Sequence, residues 1–321
     1  MCGPKYLRWV ICTLLFAALF VFGFKSVIEP TVVWIIEKSS HGATYQSPSI
    51  IFVGGVPRSG TTLMRILLDV HPWIRCGAEG MVIKPVLDFR HNMPPFHVNW
   101  SREAGIYPEL LDSAIAQYIH RIISGMGPPA RVLCYKRPRV LLHMEYLAGL
   151  FPDSKFIVML RDGRAVAVSL GEWGSHSTKG LHDLLRTWMI DNLKLIRACH
   201  RVGSERCIIV RYELLVLNPE RELKALTEFL RVPWDPVMLH HETLIGNITT
   251  LSPYEPSTTQ VKEQIHLKAL TKWLRMTDEA TKTFLREAPK QCWLLKALGY
   301  LDIGEIPDYS KLPRRIANVP L

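Results

Sequence analysis

Residues 50–62 read IIFVGGVPRSGTT, and residues 63–68 continue as LMRILL. The apolar run at 50–53 is typical of a buried strand, and the run at 63–68 is typical of the first turns of a helix. A strand, a glycine-rich turn and a helix direct backbone N–H groups and a helix dipole towards a phosphate. We therefore predict an anion-binding loop between a first strand and a first helix.

The loop resembles a Walker A loop in its glycine spacing but not in its chemistry. Gly55 and Gly60 have the spacing of GxxxxGK[ST], but Thr61 stands at the position of the Walker lysine. The cation of the loop is instead Arg58, which can form charge-assisted hydrogen bonds with a terminal phosphate or sulfate. We expect phosphate binding without hydrolysis of a nucleoside triphosphate. The residues available to the anion are Arg58, Ser59, Gly60, Thr61 and Thr62.

The composition is compatible with a packed enzyme that has acidic partners. Hydrophobic residues make up 48% and charged residues 21% of the 321 residues, which allows one large α/β domain or two small ones. The net charge of +10 favours a phosphorylated cofactor, an acidic peptide, a sulfated glycan or an anionic membrane as partner. No RNP pattern or zinc-finger spacing occurs, so nucleic acid is disfavoured.

The N-terminus carries a membrane signal. Residues 9–24 contain no charged residue, and Lys25 can snorkel so that the apolar segment extends to residue 28. A cleaved signal peptide is the alternative, but no small-x-small cleavage site occurs near residues 23–27. Lys5 and Arg8 precede the segment, which favours a cytosolic N-terminus. The predicted organisation is a cytosolic tail (1–8), a signal-anchor helix (9–28), a stem (29–49) and a lumenal domain (50–321).

Cysteines and glycosylation sequons are compatible with a lumenal body. Five cysteines follow the anchor, so at least one is unpaired within a monomer. Cys199 and Cys207 flank a short polar turn, and a bond between Cys76 and Cys134 would join the segment after the first helix to a later strand. The alternative is that all five are buried thiols. The sequons lie at Asn99 and Asn247.

The body alternates apolar strands with helices, which predicts a parallel sheet covered on both faces. The predicted strands are 50–53, 131–135, 155–160 and 207–211. The predicted helices after the loop are 107–124, 181–200, 219–230, 267–274 and 278–288.

A second anion-binding element follows the strand at 155–160. Arg161 begins an Arg-Asp-Gly-Arg turn, and Ser169 lies about two helical turns beyond it. Open α/β sheets bind ligands outside the carboxyl ends of their strands. Arg161 and Ser169 are therefore candidates to bind a second phosphate, although such a turn alone is more often a solvated turn with a local ion pair.

These elements, in their order along the chain, resemble the tyrosylprotein sulfotransferases. The loop by itself would indicate only a sulfotransferase, but the ordered set extends from residue 50 to about residue 300 and is specific to the tyrosyl enzymes. The matching stretches are 52–65, 68–77, 133–136, 155–164, 212–219, 239–246, 257–261, 270–273 and 298–300.

The resemblance implies a P-loop-like sulfotransferase fold and the donor 3′-phosphoadenosine 5′-phosphosulfate. The 58–62 loop would bind the 5′-phosphosulfate, and Arg161 and Ser169 the 3′-phosphate. Lys136 and Ser257 would lie near the bridging oxygen of the donor. The further donor contacts implied are Tyr212, Ser257 and Lys272.

The resemblance also implies the reaction. A sulfuryl group would pass in line to a tyrosine hydroxyl in an acidic segment of a secreted or membrane protein. Glu79 matches the family's general base, and Arg58, Lys136 and Ser257 would complete the catalytic set. No divalent metal is expected in the chemical step. A Golgi location, a type II topology and a homodimer are implied in the same way.

The chain departs from the family mainly on the acceptor side. Ala78 and Met81 replace a glutamate and an active-site arginine, and Trp173 stands where a basic donor contact is usual. We hypothesise that Lys84, Arg137 and Arg139 supply replacement positive charge for an acidic peptide. The alternatives are a carbohydrate acceptor and a donor-binding pseudoenzyme, which Met81 would favour. A P-loop kinase is the weakest alternative because the Walker lysine is missing.

Overall fold

The computed structural model describes residues 49–172, 177–249, 251–255, 260–276 and 278–316. The predicted tail, the predicted anchor and nearly all of the predicted stem lie outside these ranges, and so do Trp173 and Ser257. Within the described ranges, no helix has both the length and the apolar character needed to cross a membrane.

The central sheet consists of five parallel strands: β1 (Ile50–Gly55), β2 (Ile74–Arg75), β3 (Val132–Lys136), β4 (Lys155–Leu160) and β5 (Cys207–Arg211). Their order across the sheet is β2-β3-β1-β4-β5, and every neighbouring pair is parallel. The strands β2 and β3 therefore lie on one side of β1, and β4 and β5, which come later in the chain, lie on the other side. Such a reversal leaves a crevice at the carboxyl ends of the strands, where open α/β sheets bind ligands.

Helices flank the sheet, and their positions follow the sequence pattern closely. The helix predicted at 219–230 has these bounds in the structure, and the one predicted at 267–274 is divided into an α-helix and the 3₁₀ helix Lys272–Arg275. The α-helices in the described residues are α1 (Thr61–Asp69), α2 (Ile83–His91), α3 (Pro95–Glu103), α4 (Glu109–Gly125), α5 (Met144–Leu150), α6 (Gly163–Gly171), α7 (Thr178–Val202), α8 (Tyr212–Leu217), α9 (Pro219–Leu230), α10 (Lys268–Thr271), α11 (Glu279–Gln291) and α12 (Trp293–Ala297).

Both faces of the sheet are covered, as the alternating pattern predicts. Successive side chains of a strand point to opposite faces. Ile51 and Val53 of β1 pack in one apolar cluster with α1 and α7, whereas Ile50 and Phe52 pack in another with α4 and α5. Burying a side chain of this kind contributes about 1.5–3 kcal/mol. These two cores fix the position of β1, and therefore also the point at which the loop after β1 begins.

Several elements were not predicted from the sequence: the short helices α5, α8 and α12, and also β2, α2 and α3. The strand β2 has only two residues, which is too short to carry a period. Only Ile83 and Leu87 of α2 are buried, and no residue of α3 is buried, so neither helix has a clear apolar face.

Two disulfide bonds link parts of this framework. Cys76, which follows β2, is bonded to Cys134 of β3. Cys199 of α7 is bonded to Cys207 of β5. Among the described residues, Cys292 has a free thiol, and it is buried.

Candidate active site

The loop after β1 has the geometry of an anion-binding loop. Gly60, the residue before α1, has φ 92°, and a Cβ added there would lie 2.4 Å from the Tyr212 ring. Among the residues that the structure describes, no side chain caps the N–H groups of the first turn of α1. The hydroxyl of Ser59 is buried and has no hydrogen-bond partner within the described part of the chain. These unsatisfied donors are available to an anion at the helix N-terminus.

Arg58 joins this loop to the element that follows β4. Its Nε donates a hydrogen bond to Ser169 Oγ at 2.9 Å, and its carbonyl accepts one from Arg161 Nη1 at 2.9 Å. Burial lowers the pKa of Arg58, and the positive charge of Arg161 lowers it further. Two guanidinium groups held close together favour an anion between them, because it offsets their repulsion.

Seven of the ten predicted donor-binding residues line two neighbouring pockets; Ser59 and Thr61 line neither, and Ser257 is not described. Arg161 lines both pockets, and its guanidinium carbon lies 4.6 Å above the centre of the Tyr212 ring. The first pocket is also lined by Arg58, Gly60, Thr62 and Tyr212, and the second by Ser169, Glu172 and Lys272. Lys272 Nζ forms an ion pair with Glu172 Oε1 at 2.7 Å. Ser257 lies outside the described residues, so its predicted role stays a prediction.

Lys136 and Glu79, the predicted cation and base, are in direct contact. Lys136 ends β3, its side chain is 1% exposed, and its Nζ lies 2.5 Å from Glu79 Oε2. The same Nζ donates a hydrogen bond to Thr62 Oγ1 of the loop at 3.4 Å. The end of β3 thus brings a cation, and the segment after β2 a carboxylate, to the loop after β1.

Glu255 is a member of this cluster that sequence reasoning missed. Its Oε2 lies 3.0 Å from Lys136 Nζ, and its Oε1 accepts the backbone N–H of Glu79 at 2.8 Å. Burial raises the pKa of Glu255, but the charges of Lys136 and then Arg65 outweigh burial and hold this pKa below its usual range. A single glutamate in a polar loop has no periodic pattern, and its one sequence signal is its position just before the matching stretch 257–261.

A third pocket lies on the other side of the loop. It is lined by residues of the loop, by Glu79 and by the three cations proposed for the acceptor: Lys84, Arg137 and Arg139. Lys84 Nζ forms an ion pair with Asp88 at 2.6 Å, and Arg139 Nε with Asp191 at 2.9 Å.

Arg137 differs from the other two cations. It has no carboxylate in ion-pair contact among the residues that the structure describes. Its Nη1 contacts the carbonyl of Gly80 at 3.3 Å and the sulfur of Met81. The guanidinium of Arg137 therefore lies beside the side chain that replaces the family's arginine.

The predicted glycosylation sites are accessible. Asn99, in α3, and Asn247 are both exposed. Over the described ranges, no group of three or more His, Cys, Asp or Glu residues is arranged to hold a metal ion.

Comparisons with known proteins agree with this arrangement. A family profile described as "Sulfotransferase family" matches residues 48–236. Protein-tyrosine sulfotransferase A of Caenorhabditis elegans is 38% identical over 288 residues, which cover 88% of this chain and 74% of that protein. Protein-tyrosine sulfotransferase 1 of Homo sapiens is 38% identical over 293 residues, covering 86% and 76% respectively.

Two solved structures share the fold. The sulfotransferase domain from the Synechococcus PCC 7002 olefin synthase has a TM-score of 0.54 at 21% identity, over 78% of this chain and 98% of that chain. The sulfotransferase domain from the curacin biosynthetic pathway has a TM-score of 0.51 at 20% identity, over 75% of this chain and 98% of that chain. The predicted fold, a mostly parallel sheet flanked by helices, is confirmed.

Proposed function

The chain belongs to the protein-tyrosine sulfotransferases, and from that premise we propose that it transfers a sulfuryl group from 3′-phosphoadenosine 5′-phosphosulfate to tyrosine hydroxyls. The acceptors would be acidic segments of secreted and membrane proteins. The observation that carries the proposal is the contact between Lys136 Nζ and Glu79 Oε2 at 2.5 Å, beside the loop that holds Arg58. A base and two cations at an anion-binding loop are the groups that this transfer needs.

The donor fits the chemistry of the loop and its neighbouring pockets. The buried Ser59 hydroxyl and the uncapped N–H groups of α1 match a phosphosulfate. Arg161 and Ser169 would bind the 3′-phosphate, with Lys272 as a further cation at the same pocket. The remaining donor contacts proposed are Gly60, Thr61, Thr62, Tyr212 and Ser257.

The acceptor hydroxyl needs help to lose its proton, because tyrosine has a pKa of about 10. Glu79 would accept that proton while the phenolic oxygen forms a bond to sulfur. The bond from sulfur to the bridging oxygen breaks, and its electron pair stays on the leaving phosphate. Arg58, Lys136 and the loop N–H groups would stabilise that charge, with Ser257 near the bridging oxygen. These cations meet the electrostatic need of the step, so we propose that it requires no divalent metal.

The proposed compartment is the Golgi lumen. Disulfide bonds form in oxidising compartments, so the two bonds described above support a lumenal body. The exposed sequons Asn99 and Asn247 are compatible with glycosylation there. The signal anchor at 9–28 with type II topology, and the homodimer, remain proposals of the same kind.

The decisive experiment is a sulfate-transfer assay of the full chain with radiolabelled donor. We expect label on an acidic tyrosine peptide, none on the matched phenylalanine peptide, and no loss of activity with EDTA. Glu79→Gln should lower kcat by about 100-fold or more, the scale of general-base catalysis. Transfer to glycans alone would identify a carbohydrate acceptor, and donor binding without any transfer would identify a pseudoenzyme.

A further inference from the structure

The carboxylate of Glu255 lies where three elements meet at the carboxyl edge of the sheet. Its Oε2 is 3.0 Å from Lys136 Nζ at the end of β3. Its Oε1 accepts the backbone N–H of Glu79, in the segment after β2, and lies 3.5 Å from Arg65 Nη2 in α1. The side chain is 3% exposed, so water screens these contacts weakly. One carboxylate thus links the proposed base, the cation beside it and the first helix.

Within this cluster, Lys136 is shared between two carboxylates. Lys136 carries one positive charge and contacts two carboxylates, Glu79 at 2.5 Å and Glu255 at 3.0 Å. A cation near a carboxylate favours its ionised form, and a second carboxylate nearby disfavours it. Glu255 therefore has two electrostatic effects on Glu79 in the same direction. Because Glu255 shares Lys136, the lysine stabilises the ionised form of Glu79 less. The negative charge of Glu255 also disfavours that ionised form. Both effects make Glu79 bind a proton more strongly.

We propose that Glu255 is a positioning residue for sulfuryl transfer: it fixes Lys136 and the backbone of Glu79, and it keeps Glu79 basic enough to accept the acceptor's proton. The inference rests on the proposed function. The step is the one given above: the phenolic proton moves to the Glu79 carboxylate, sulfur bonds to the phenolic oxygen, and the leaving phosphate keeps the electron pair. Without Glu255, Lys136 would stabilise the ionised carboxylate of Glu79 more strongly, and Glu79 would be a weaker base.

Other charged groups also face Glu79, and substituting Glu255 leaves their charges unchanged. The Tyr135 hydroxyl, which donates to the carbonyl of Gly80, interacts electrostatically with Glu79. The groups that share its pocket are Arg58, Lys84, Asp88, Arg137 and Arg139. A change in the pH dependence of a Glu255 variant therefore reports on Glu255 itself.

The test compares the full wild-type chain with Glu255→Gln, which keeps the size of the side chain and an acceptor for the Glu79 N–H. We expect kcat to fall about 10- to 100-fold, and the acid limb of the kcat–pH profile to move to lower pH by roughly one unit. The dissociation constant for 3′-phosphoadenosine 5′-phosphate should change less than about threefold, because the proposed nucleotide contacts remain. Asp112→Asn is the control, since it also removes a carboxylate from an ion pair, with Arg90 at 2.6 Å, outside the site. It should leave kcat and the acid limb unchanged.

A second measurement does not depend on activity. In a carboxyl ¹³C NMR titration of the full chain, the Glu79 resonance is identified by its absence in Glu79→Gln. Its midpoint should lie at lower pH in Glu255→Gln than in wild type. A midpoint and an acid limb that both stay in place would overturn the proposal. If wild type sulfates no acceptor, the proposed function fails, but the NMR midpoint still shows whether Glu255 acts on Glu79.

Glu255→Asp provides a variant in case Glu255→Gln does not fold. It keeps the charge but shortens the reach to Lys136 by one methylene. We expect a lower kcat at an unchanged melting temperature. Wild-type kcat in Glu255→Asp would contradict the positioning role.

Discussion

Arg58 Nε donates a hydrogen bond to Ser169 Oγ at 2.9 Å, across 111 positions of sequence. The bond connects the loop after β1 with α6, the helix that follows β4. The resemblance to the tyrosyl enzymes assigns these residues to opposite ends of the donor, Arg58 to the sulfuryl group and Ser169 to the 3′-phosphate. In the structure the two side chains lie side by side, so the proposed binding sites for the two ends of the donor are in contact.

Ser169→Ala should weaken donor binding. The substitution removes the acceptor of the Arg58 hydrogen bond and one proposed contact to the 3′-phosphate. We expect the dissociation constant for 3′-phosphoadenosine 5′-phosphate to rise about 10- to 100-fold, the scale of one hydrogen bond to a charged group. Calorimetry of the full chain measures this constant. Ser124→Ala, at a half-buried serine in α4 outside the site, is the control, and equal constants in both variants would contradict the assignment.

Arg137→Ala should selectively impair acidic acceptors. Lys84 and Arg139 already form ion pairs with Asp88 and Asp191, whereas no described carboxylate pairs with Arg137. We expect KM for an acidic tyrosine peptide to rise about 3- to 10-fold with kcat nearly unchanged, and the effect to shrink at high salt.

The matched control for Arg137→Ala is Arg139→Ala, which lines the same pocket. It should have the smaller effect on KM. A larger effect in Arg139→Ala would mean that its ion pair with Asp191 opens to bind the peptide. The hypothesis of replacement charge fails altogether if KM and its salt dependence stay unchanged when Lys84, Arg137 and Arg139 are all reversed in charge.

Gly60→Ala should destabilise the loop severely. The residue has φ 92°, and the added Cβ would lie 2.4 Å from Tyr212 Cδ2. Backbone strain and overpacking together predict a loss of about 2–5 kcal/mol in the free energy of unfolding. Gly105→Ala is a matched control, because Gly105 has φ 69° but no atom within 4 Å of an added Cβ. Urea unfolding should show a smaller loss of unfolding free energy for Gly105→Ala, about 1 kcal/mol. Equal losses in the two variants would mean that contact with Tyr212 has no role.

Glu213→Gln should change how stability depends on pH. Burial raises the pKa of Glu213 to about 7, and the carboxyl accepts hydrogen bonds from the Asp162 N–H and the Tyr300 hydroxyl. Because the folded-state pKa is above the ordinary glutamate value of 4.5, the stability contributed by the protonated form is complete below about pH 4.5 and is lost as pH rises through about 7.

Because glutamine does not titrate, Glu213→Gln should become progressively more stable than wild type as pH rises from about 4.5 to about 7. Above about pH 7 the difference in stability should stay constant. The full gain, reached above about pH 7, is on the order of 3–4 kcal/mol, from about 1.4 kcal/mol for each pKa unit between 4.5 and about 7. Urea unfolding at pH 5 and pH 8 measures it. Glu228→Gln, at an exposed position of α9, should have the same effect at both pH values. A pH-independent difference for Glu213→Gln would contradict the buried, proton-binding carboxyl.

The strands β4 and β5 and the helix α9 have the bounds that the sequence predicts. Each is a continuous or periodic apolar segment that ends at turn residues, so local pattern suffices. By contrast, β2 and α3 bury too few side chains to show any period. Their positions depend on neighbouring elements, which a local pattern does not record.

The loop at 50–62 and its preference for an anion follow from local sequence alone, because glycine spacing and the strand–turn–helix order act over a few residues. The contacts among charged groups do not. Lys136 meets Glu255 across 119 positions, and Arg58 meets Ser169 across 111. The order and register of the parallel strands bring their carboxyl ends to one edge, and only there do these side chains come within hydrogen-bonding distance. The same folding pairs Arg139 with Asp191 across 52 positions, whereas Lys84 pairs with Asp88 one turn away in α2. Arg137 has no carboxylate in ion-pair contact within the described ranges, and its sequence neighbours do not reveal that difference from Arg139.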